Sequence, residues 1–295
     1  MHGDHPDAEG GPVSARGEEA PDLRLPEGEP VYARSGGFAV FNQLGVKLDF
    51  PASVSDAEYY DWLDATTAAI GSLVEGAEIA EKSYARTEPR TNTGVYYDTD
   101  DHLLLRSDMV LRTTCNIKTH AFCAFKLGAD AHGVRRDHRY SFGGDDKRTI
   151  QLHPDSPEAV DAVKRLLARE DIDHPGVHLH KATGLTGDDL SPAIRLRQVR
   201  HPFFVWLDGR DALRCSMDRV RVVDLRAPDP EATEASFCEV EFPLFPRLAP
   251  ETARDPRVPR LIRVLSDLLR ERFGVDYVAD SKYRRAARAL GLSWT

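Results

Sequence analysis

Several segments of this chain carry charged residues two positions apart, with apolar residues between them. Ile194-Arg195-Leu196-Arg197 and Cys238-Glu239-Val240-Glu241-Phe242 are the clearest, and Arg135, Asp137 and Arg139 repeat the spacing. In a strand, residues i and i+2 share a face, so each segment predicts one charged face and one apolar face. Lys47, Lys126 and Asp218 stand singly on otherwise apolar strand-like stretches. A sheet open to solvent also alternates charge. Here the apolar side (Leu196, Val240, Phe242) needs a cover, which helices can supply from outside. The charged side would then line the interior of a wide barrel.

Period-2 patterning predicts about eight strands, at 38–50, 93–98, 109–114, 121–127, 134–142, 193–207, 212–223 and 236–244. Pro51 ends the first, and Ser55 is placed to cap a helix over 56–74. Further helices are expected at 156–169, 261–273 and 282–290. Asp208-Gly209 signals a tight hairpin, and a second turn is expected at 128–133. Strict β/α alternation is absent. The expected fold is therefore α+β: a closed eight-stranded antiparallel β-barrel with surrounding helices.

Residues 1–35 are acidic, rich in Gly and Pro and poor in large apolar groups, so a disordered tail is expected there, with one domain over 36–295. The formal net charge of -9 argues against general nucleic-acid binding but leaves room for a local basic cavity. No stretch approaches the ~18 apolar residues of a membrane helix. The N-terminus lacks the basic patch and apolar run of a leader, so a cytoplasmic protein without a membrane partner is expected. Cys115, Cys123, Cys215 and Cys238 form no CxxC pair and read as buried free thiols.

Like charges in a dry tunnel repel and lose hydration unless a polyanion neutralises them. Arginine forks and lysine ammonium groups match phosphate oxygens. The expected partner is a small phosphate-rich anion.

The motifs carry a family resemblance. Tyr97-Asp98-Thr99-Asp100-Asp101 precedes Leu104-Leu105-Arg106 and Val110-Leu111-Arg112. Phe125-Lys126, Gly133-Val134-Arg135-Arg136-Asp137, Ile194-Arg195-Leu196-Arg197, Met217-Asp218-Arg219-Val220 and Glu239-Val240-Glu241 follow. Asp280-Ser281-Lys282-Tyr283-Arg284-Arg285-Ala286 closes the series. In this order the motifs resemble those of the CYTH superfamily, the triphosphate tunnel metalloenzymes, over roughly residues 38–287.

The resemblance implies that Lys47, Arg112, Lys126, Arg135, Arg195, Arg197 and Lys282 face the anion, with Lys47, Glu239 and Glu241 catalytic. It implies that Asp218, Glu239 and Glu241 hold Mg2+ or Mn2+, which would polarise the reacting phosphoryl group. The chain departs from the family at its first strand. Where the family has Glu-x-Glu-x-Lys, this chain has Gln43-Leu44-Gly45-Val46-Lys47, and Thr114 stands where a second arginine follows Arg112. One implied function is therefore metal-dependent hydrolysis of inorganic triphosphate, a nucleoside triphosphate or a related organic phosphate. The alternatives are a non-catalytic polyphosphate- or nucleotide-binding module, and a tunnel repurposed for another anionic substrate.

Overall fold

The computed structural model describes residues 16–17, 32–35, 37–81, 85–129, 134–244 and 250–294. Two short strands, β1 (Arg16–Gly17) and β2 (Tyr32–Ser35), precede β3 (Phe38–Gln43) and β4 (Gly45–Phe50). Helix α1 (Asp56–Leu73) leads to β5 (Ala77–Glu81) and β6 (Arg90–Asp98). The single turn α2 (Leu103–Arg106) introduces β7 (Val110–Asn116), β8 (His120–Lys126) and β9 (Arg135–Ser141). Three helices follow: α3 (Gly144–Leu152), α4 (Pro157–Leu167) and α5 (Pro175–Thr183). The long strands β10 (Ser191–Leu207) and β11 (Arg210–Asp224) lead to β12 (Ala235–Pro243). The described chain ends with α6 (Pro250–Ala253), α7 (Arg257–Phe273), β13 (Tyr277–Val278) and α8 (Lys282–Ala289). Of the expected tail at 1–35, β1 and β2 are described; the rest lies outside the described residues, as does most of the turn expected at 128–133.

Local chemistry explains the main boundaries. The Ser55 hydroxyl accepts a hydrogen bond from the Glu58 amide while the Glu58 carboxylate accepts one from the Ser55 amide, a reciprocal cap that starts α1. Asp208 and Gly209 both have positive φ (51° and 71°), as the tight turn between β10 and β11 requires. The Asp98 carboxylate accepts hydrogen bonds from the Leu104 and Leu105 amides at 2.8 and 3.0 Å, satisfying the start of α2.

The thirteen strands among the described residues belong to one antiparallel sheet, in the order β1-β13-β4-β12-β11-β10-β6-β7-β8-β9-β3-β2, with β5 paired to β10. This corrects the expectation of a closed eight-stranded barrel: the hydrogen-bonded ladder is open. The reason lies in the first strand, which breaks at Leu44. Its first half, β3, pairs with β9, and its second half, β4, pairs with β12. The chain itself therefore joins two distant parts of the ladder through one residue.

The apolar faces are covered by helices. Leu48, Val205, Met217, Val240 and Phe242 share a core with Tyr59, Leu63, Leu265 and Leu269 of α1 and α7. Val95, Leu111, Cys123 and Phe125 share another with Ile150, Val163 and Leu179 of α3, α4 and α5. On the opposite face, α8 packs its Tyr283, Ala286 and Ala287 against Tyr96, Leu196, Val220 and Val222. This helix fills one end of the enclosed space with apolar side chains. Its first residue, Lys282, borders what remains open.

Candidate functional site: a cationic cavity beside a buried carboxylate bracket

The open part of the interior is a cavity of about 320 Å³. Nine basic side chains line it: Lys47, Arg90, Arg112, Lys126, Arg135, Arg139, Arg200, Arg214 and Lys282. Among the described residues Glu241 is the one carboxylate on its wall. Strand parity accounts for the arrangement. Even-numbered positions of β6, β7, β8 and β10 point inward, as do odd-numbered positions of β4, β9 and β12, and apolar residues at the alternate positions, such as Val95, Leu111, Phe125, Val205 and Val240, pack under the helices.

Most of these cations have partners. Lys126 lies 3.2 Å from Asp137 and donates to Gln43 Oε1 at 2.5 Å. Arg139 binds Asp137 at 2.8 Å and sits between the Phe41 and Phe122 rings, 4.5 and 4.6 Å from their centroids. Arg135 binds Asp108 at 2.5 Å. Arg112 differs: no ion pair to it is found among the described residues, its nearest polar contact is Tyr96 Oη at 3.5 Å, and its Nε is buried without a partner. The Thr114 hydroxyl, also on the wall, is buried and unpartnered. Arg112 Nε and the Thr114 hydroxyl are thus unpartnered polar groups on the cavity wall, as is Asn92 Oδ1.

The charges shift one another. Burial pushes the Lys126 ammonium down to about 7; Asp137 opposes the shift, while Arg112 and Arg139 add to it. Burial likewise lowers Lys47, with Glu239 and Glu241 partly restoring it. His120 is brought to about 4 by burial and by Arg139, Arg90 and Arg214, so it is neutral at pH 7.

Behind Lys282 lie Asp218 and Glu239, both fully buried, with Glu241 beside them; their carboxylate oxygens come within 4.8 Å of one another. Neighbouring strands bring them together: Asp218 faces Glu239 across β11 and β12, Arg200 faces Asp218 across β10 and β11, and Glu241 faces Lys47 across β12 and β4. The acidic cluster expected from the sequence is therefore present. It already holds cations. Lys282 Nζ is 2.7 Å from Asp218, 2.8 Å from Glu239 and 3.8 Å from Glu241. Arg200 binds Asp218 at 2.6 Å and Glu241 at 3.1 Å, and Arg285 binds Glu239 at 2.8 Å. Burial alone would push the Glu241 carboxyl up, but Lys282, Arg200 and Lys47 outweigh it and hold it well below the usual range. Asp218 is held low in the same way by Arg200 and Lys282. An Mg2+ or Mn2+ ion needs several oxygens free to turn towards it. In this arrangement the three carboxylates do not fit one, because the Lys282 ammonium stands between them and Arg200 and Arg285 hold Asp218 Oδ1 and Oδ2, Glu239 Oε2 and Glu241 Oε2; of the other two oxygens, Glu239 Oε1 lies 2.8 Å and Glu241 Oε1 3.8 Å from Lys282 Nζ.

Of the side chains the sequence assigned to the anion, Lys47, Arg112, Lys126, Arg135 and Lys282 line the cavity. Arg195 and Arg197 do not. They share a face, as expected, but it is the outer one: Arg195 pairs with Asp155 at 2.6 Å and with Glu231, and Arg197 is exposed. On β10 the inward positions are Leu196, Gln198 and Arg200. Sequence reasoning missed Arg90, Arg200 and Arg214. Continuing the parity of Leu196 to Arg200 would have found one of them. His178 and His180, spaced two apart like a metal-binding pair, belong to no metal-ligating group among the described residues: His178 stacks on His138, with ring centroids 3.6 Å apart, and contacts Asp173 at 3.0 Å.

No family model and no curated protein matches the chain. Solved structures do. A candidate adenylyl cyclase from Hippeastrum, described as having a dominant triphosphatase activity, is 15% identical with a TM-score of 0.47, over 85% of this chain and 96% of that one. A candidate adenylate cyclase from Bacillus halodurans is 10% identical with a TM-score of 0.47, over 83% and 97%. The Mimivirus capping enzyme triphosphatase is 12% identical with a TM-score of 0.28, over 76% and 88%. No helix among the described residues is long and apolar enough to cross a membrane.

Proposed function

We propose that this chain is a CYTH-like tunnel protein that binds a triphosphate-bearing anion through direct contacts with lysine and arginine side chains. One observation carries the reading: nine basic residues converge on a 320 Å³ cavity with a single carboxylate on its wall. That volume lies at the small end of ligand sites, which run from about 300 to 1,000 Å³, and suits a compact anion. Phosphate oxygens would meet the guanidinium forks of Arg112, Arg135 and Arg139 and the ammonium groups of Lys47 and Lys126. Arg112, with its buried and partnerless Nε, gains most from such a ligand.

Thermal unfolding of the full chain with tripolyphosphate, orthophosphate and citrate tests this. Tripolyphosphate at about 100 times its Kd should stabilise the fold by about 2.7 kcal/mol, and orthophosphate should do far less. Stabilisation by citrate alone would overturn the triphosphate reading and leave a tunnel used for another anion.

A second reading is hydrolysis, favoured by the place of Glu241 on the wall. A carboxylate held ionised there can orient a water molecule toward a phosphorus, although its low pKa makes it a weak proton acceptor. Phosphate release from tripolyphosphate and ATP, with EDTA and with Mg2+ or Mn2+, tests it. Turnover that disappears in Glu241→Gln supports the enzyme reading; saturable binding without turnover leaves a binding module.

A further inference from the structure

We propose that Lys282 is a built-in cation that fills the bracket of Asp218, Glu239 and Glu241, so that the cavity takes its anion without a divalent metal. The inference rests on the anion-binding reading above and concerns how that site is balanced.

The first argument is donor counting. An ammonium group has three hydrogens. Lys282 Nζ donates to Asp218 Oδ2 at 2.7 Å and to Gln198 Oε1 at 3.1 Å, and its charge stands 2.8 Å from Glu239 Oε1, an oxygen that accepts no hydrogen bond. Three of the other four carboxylate oxygens accept from arginines, and Glu241 Oε1 stands 3.8 Å from Lys282 Nζ. Asp218 Oδ1 accepts from Arg200 Nε at 2.8 Å, Glu239 Oε2 from Arg285 at 2.8 Å, and Glu241 Oε2 from Arg200 at 3.1 Å.

The second argument is charge. Asp218, Glu239 and Glu241, with Asp49 sharing Arg285, are matched by Lys282, Arg200, Arg285 and the facing Lys47, four against four. A divalent ion added to this set brings two uncompensated positive charges into a buried site, beside a cavity already lined with cations. Uncompensated buried charge is strongly disfavoured. The ion would have to expel Lys282, and that residue is anchored. It opens α8, whose start is capped by the Ser281 hydroxyl. The next residue, Tyr283, stacks on Tyr96 with centroids 4.5 Å apart and donates to Asp98 at 2.9 Å.

The third argument comes from Gln43 and Gly45, on either side of the break between β3 and β4. Gln43 carries no charge and is turned to Lys126. Gly45 leaves no room for a side chain, because a Cβ there would stand 2.4 Å from Pro243 Cα and 2.6 Å from the Phe242 carbonyl oxygen. The backbones of β4 and β12 meet too closely at that point for any carboxylate to be restored there. Lysine inside the bracket and glycine outside it belong to one design: fewer acids, and a fixed cation in place of a bound one.

The test uses the full chain. Mn2+ alone is titrated and followed by its electron paramagnetic resonance signal; in parallel, tripolyphosphate binding is measured by calorimetry in EDTA and with Mg2+, counting free tripolyphosphate. The native chain should show no stoichiometric Mn2+ uptake at micromolar concentrations, and its tripolyphosphate affinity should be the same with and without metal. Lys282→Met, which keeps an unbranched stem and removes the charged end, should bind Mn2+ at least tenfold more tightly than the native chain. One Mn2+ taken up by the native chain at micromolar concentration, and lost in Glu239→Gln, would overturn the proposal, whether or not Lys282→Met folds. Failure of tripolyphosphate to bind under either condition overturns the anion reading. The Mn2+ titration, which contains no anion, then decides the bracket separately.

Discussion

Lys126 Nζ donates to Gln43 Oε1 at 2.5 Å, joining β8 to the end of β3 across 83 residues of sequence. The contact meets the ammonium with a neutral amide, which polarises it without neutralising it. Its full counter-charge is Asp137, which it shares with Arg139.

A pH dependence follows. Burial holds Lys126 at about 7, with Arg112 and Arg139 adding to the depression. An anion prefers the protonated form, so it raises that value on binding and draws in a proton. Tripolyphosphate affinity should therefore be full below pH 7 and weaken as pH rises above it. Lys126→Arg stays charged throughout and should flatten the dependence relative to the native chain. Calorimetric titrations of both proteins between pH 6 and 9, in the same buffers, cancel the ligand's own ionisation. Parallel profiles would sink the assignment.

The ligand-free protein should respond to pH in the opposite sense. Lys126 binds its proton less readily when folded than when unfolded, so the unfolded chain holds more protons between about pH 7 and the ordinary lysine value. This group's contribution to stability rises with pH across that window. Denaturant unfolding of the native chain and Lys126→Met should diverge most at pH 7 and converge towards pH 10.

Arg112→Ala removes a cation with no acidic partner among the described residues. Tripolyphosphate affinity should fall about 10- to 100-fold, the worth of one charge-assisted hydrogen bond of about 1.5–3 kcal/mol. The ligand-free melting temperature should hold or rise, because an unpaired charge has been taken out of the wall. A large drop in ligand-free stability would mean that Arg112 is structural.

Asp218→Asn should do the reverse. Asp218 is fully buried between Arg200 and Lys282, at 2.6 and 2.7 Å. Breaking a buried pair by removing one partner costs about 3–5 kcal/mol, readable as a lower denaturant midpoint. Arg197→Ala, on the exposed outer face, should leave stability within about 0.5 kcal/mol and affinity unchanged. A loss of affinity in Arg197→Ala would reverse the assignment of faces on β10.

Gly45→Ala probes the close approach of β4 and β12. Its Cβ meets backbone at 2.4 Å, which neither strand can yield without shifting its ladder. Destabilisation of about 1–3 kcal/mol is expected from overpacking of this kind. Unchanged unfolding would show that the strands can part there, and a carboxylate at 45 would then be possible.

Much of this was legible in the sequence. Alternation marked the long strands, the Ser55 cap and the Asp208-Gly209 turn stood where expected, and Glu239 and Glu241 share the face that pairing with β11 and β4 demands. A period of two says which residues lie together; it does not say which side is inside. On β12 the inward face is the charged one, because Val240 and Phe242 meet the helices. On β10 the same pattern runs the other way. Arg195 and Arg197 point out, while Leu196 packs under α8 and Gln198 and Arg200 face inward. Only the tertiary structure decides that, because α8 returns from the end of the chain to occupy one end of the interior, and the apolar residues needed to receive it must then face in. The same return carries Lys282 into the carboxylate bracket, a placement made by helix packing over a separation of 64 residues from Asp218.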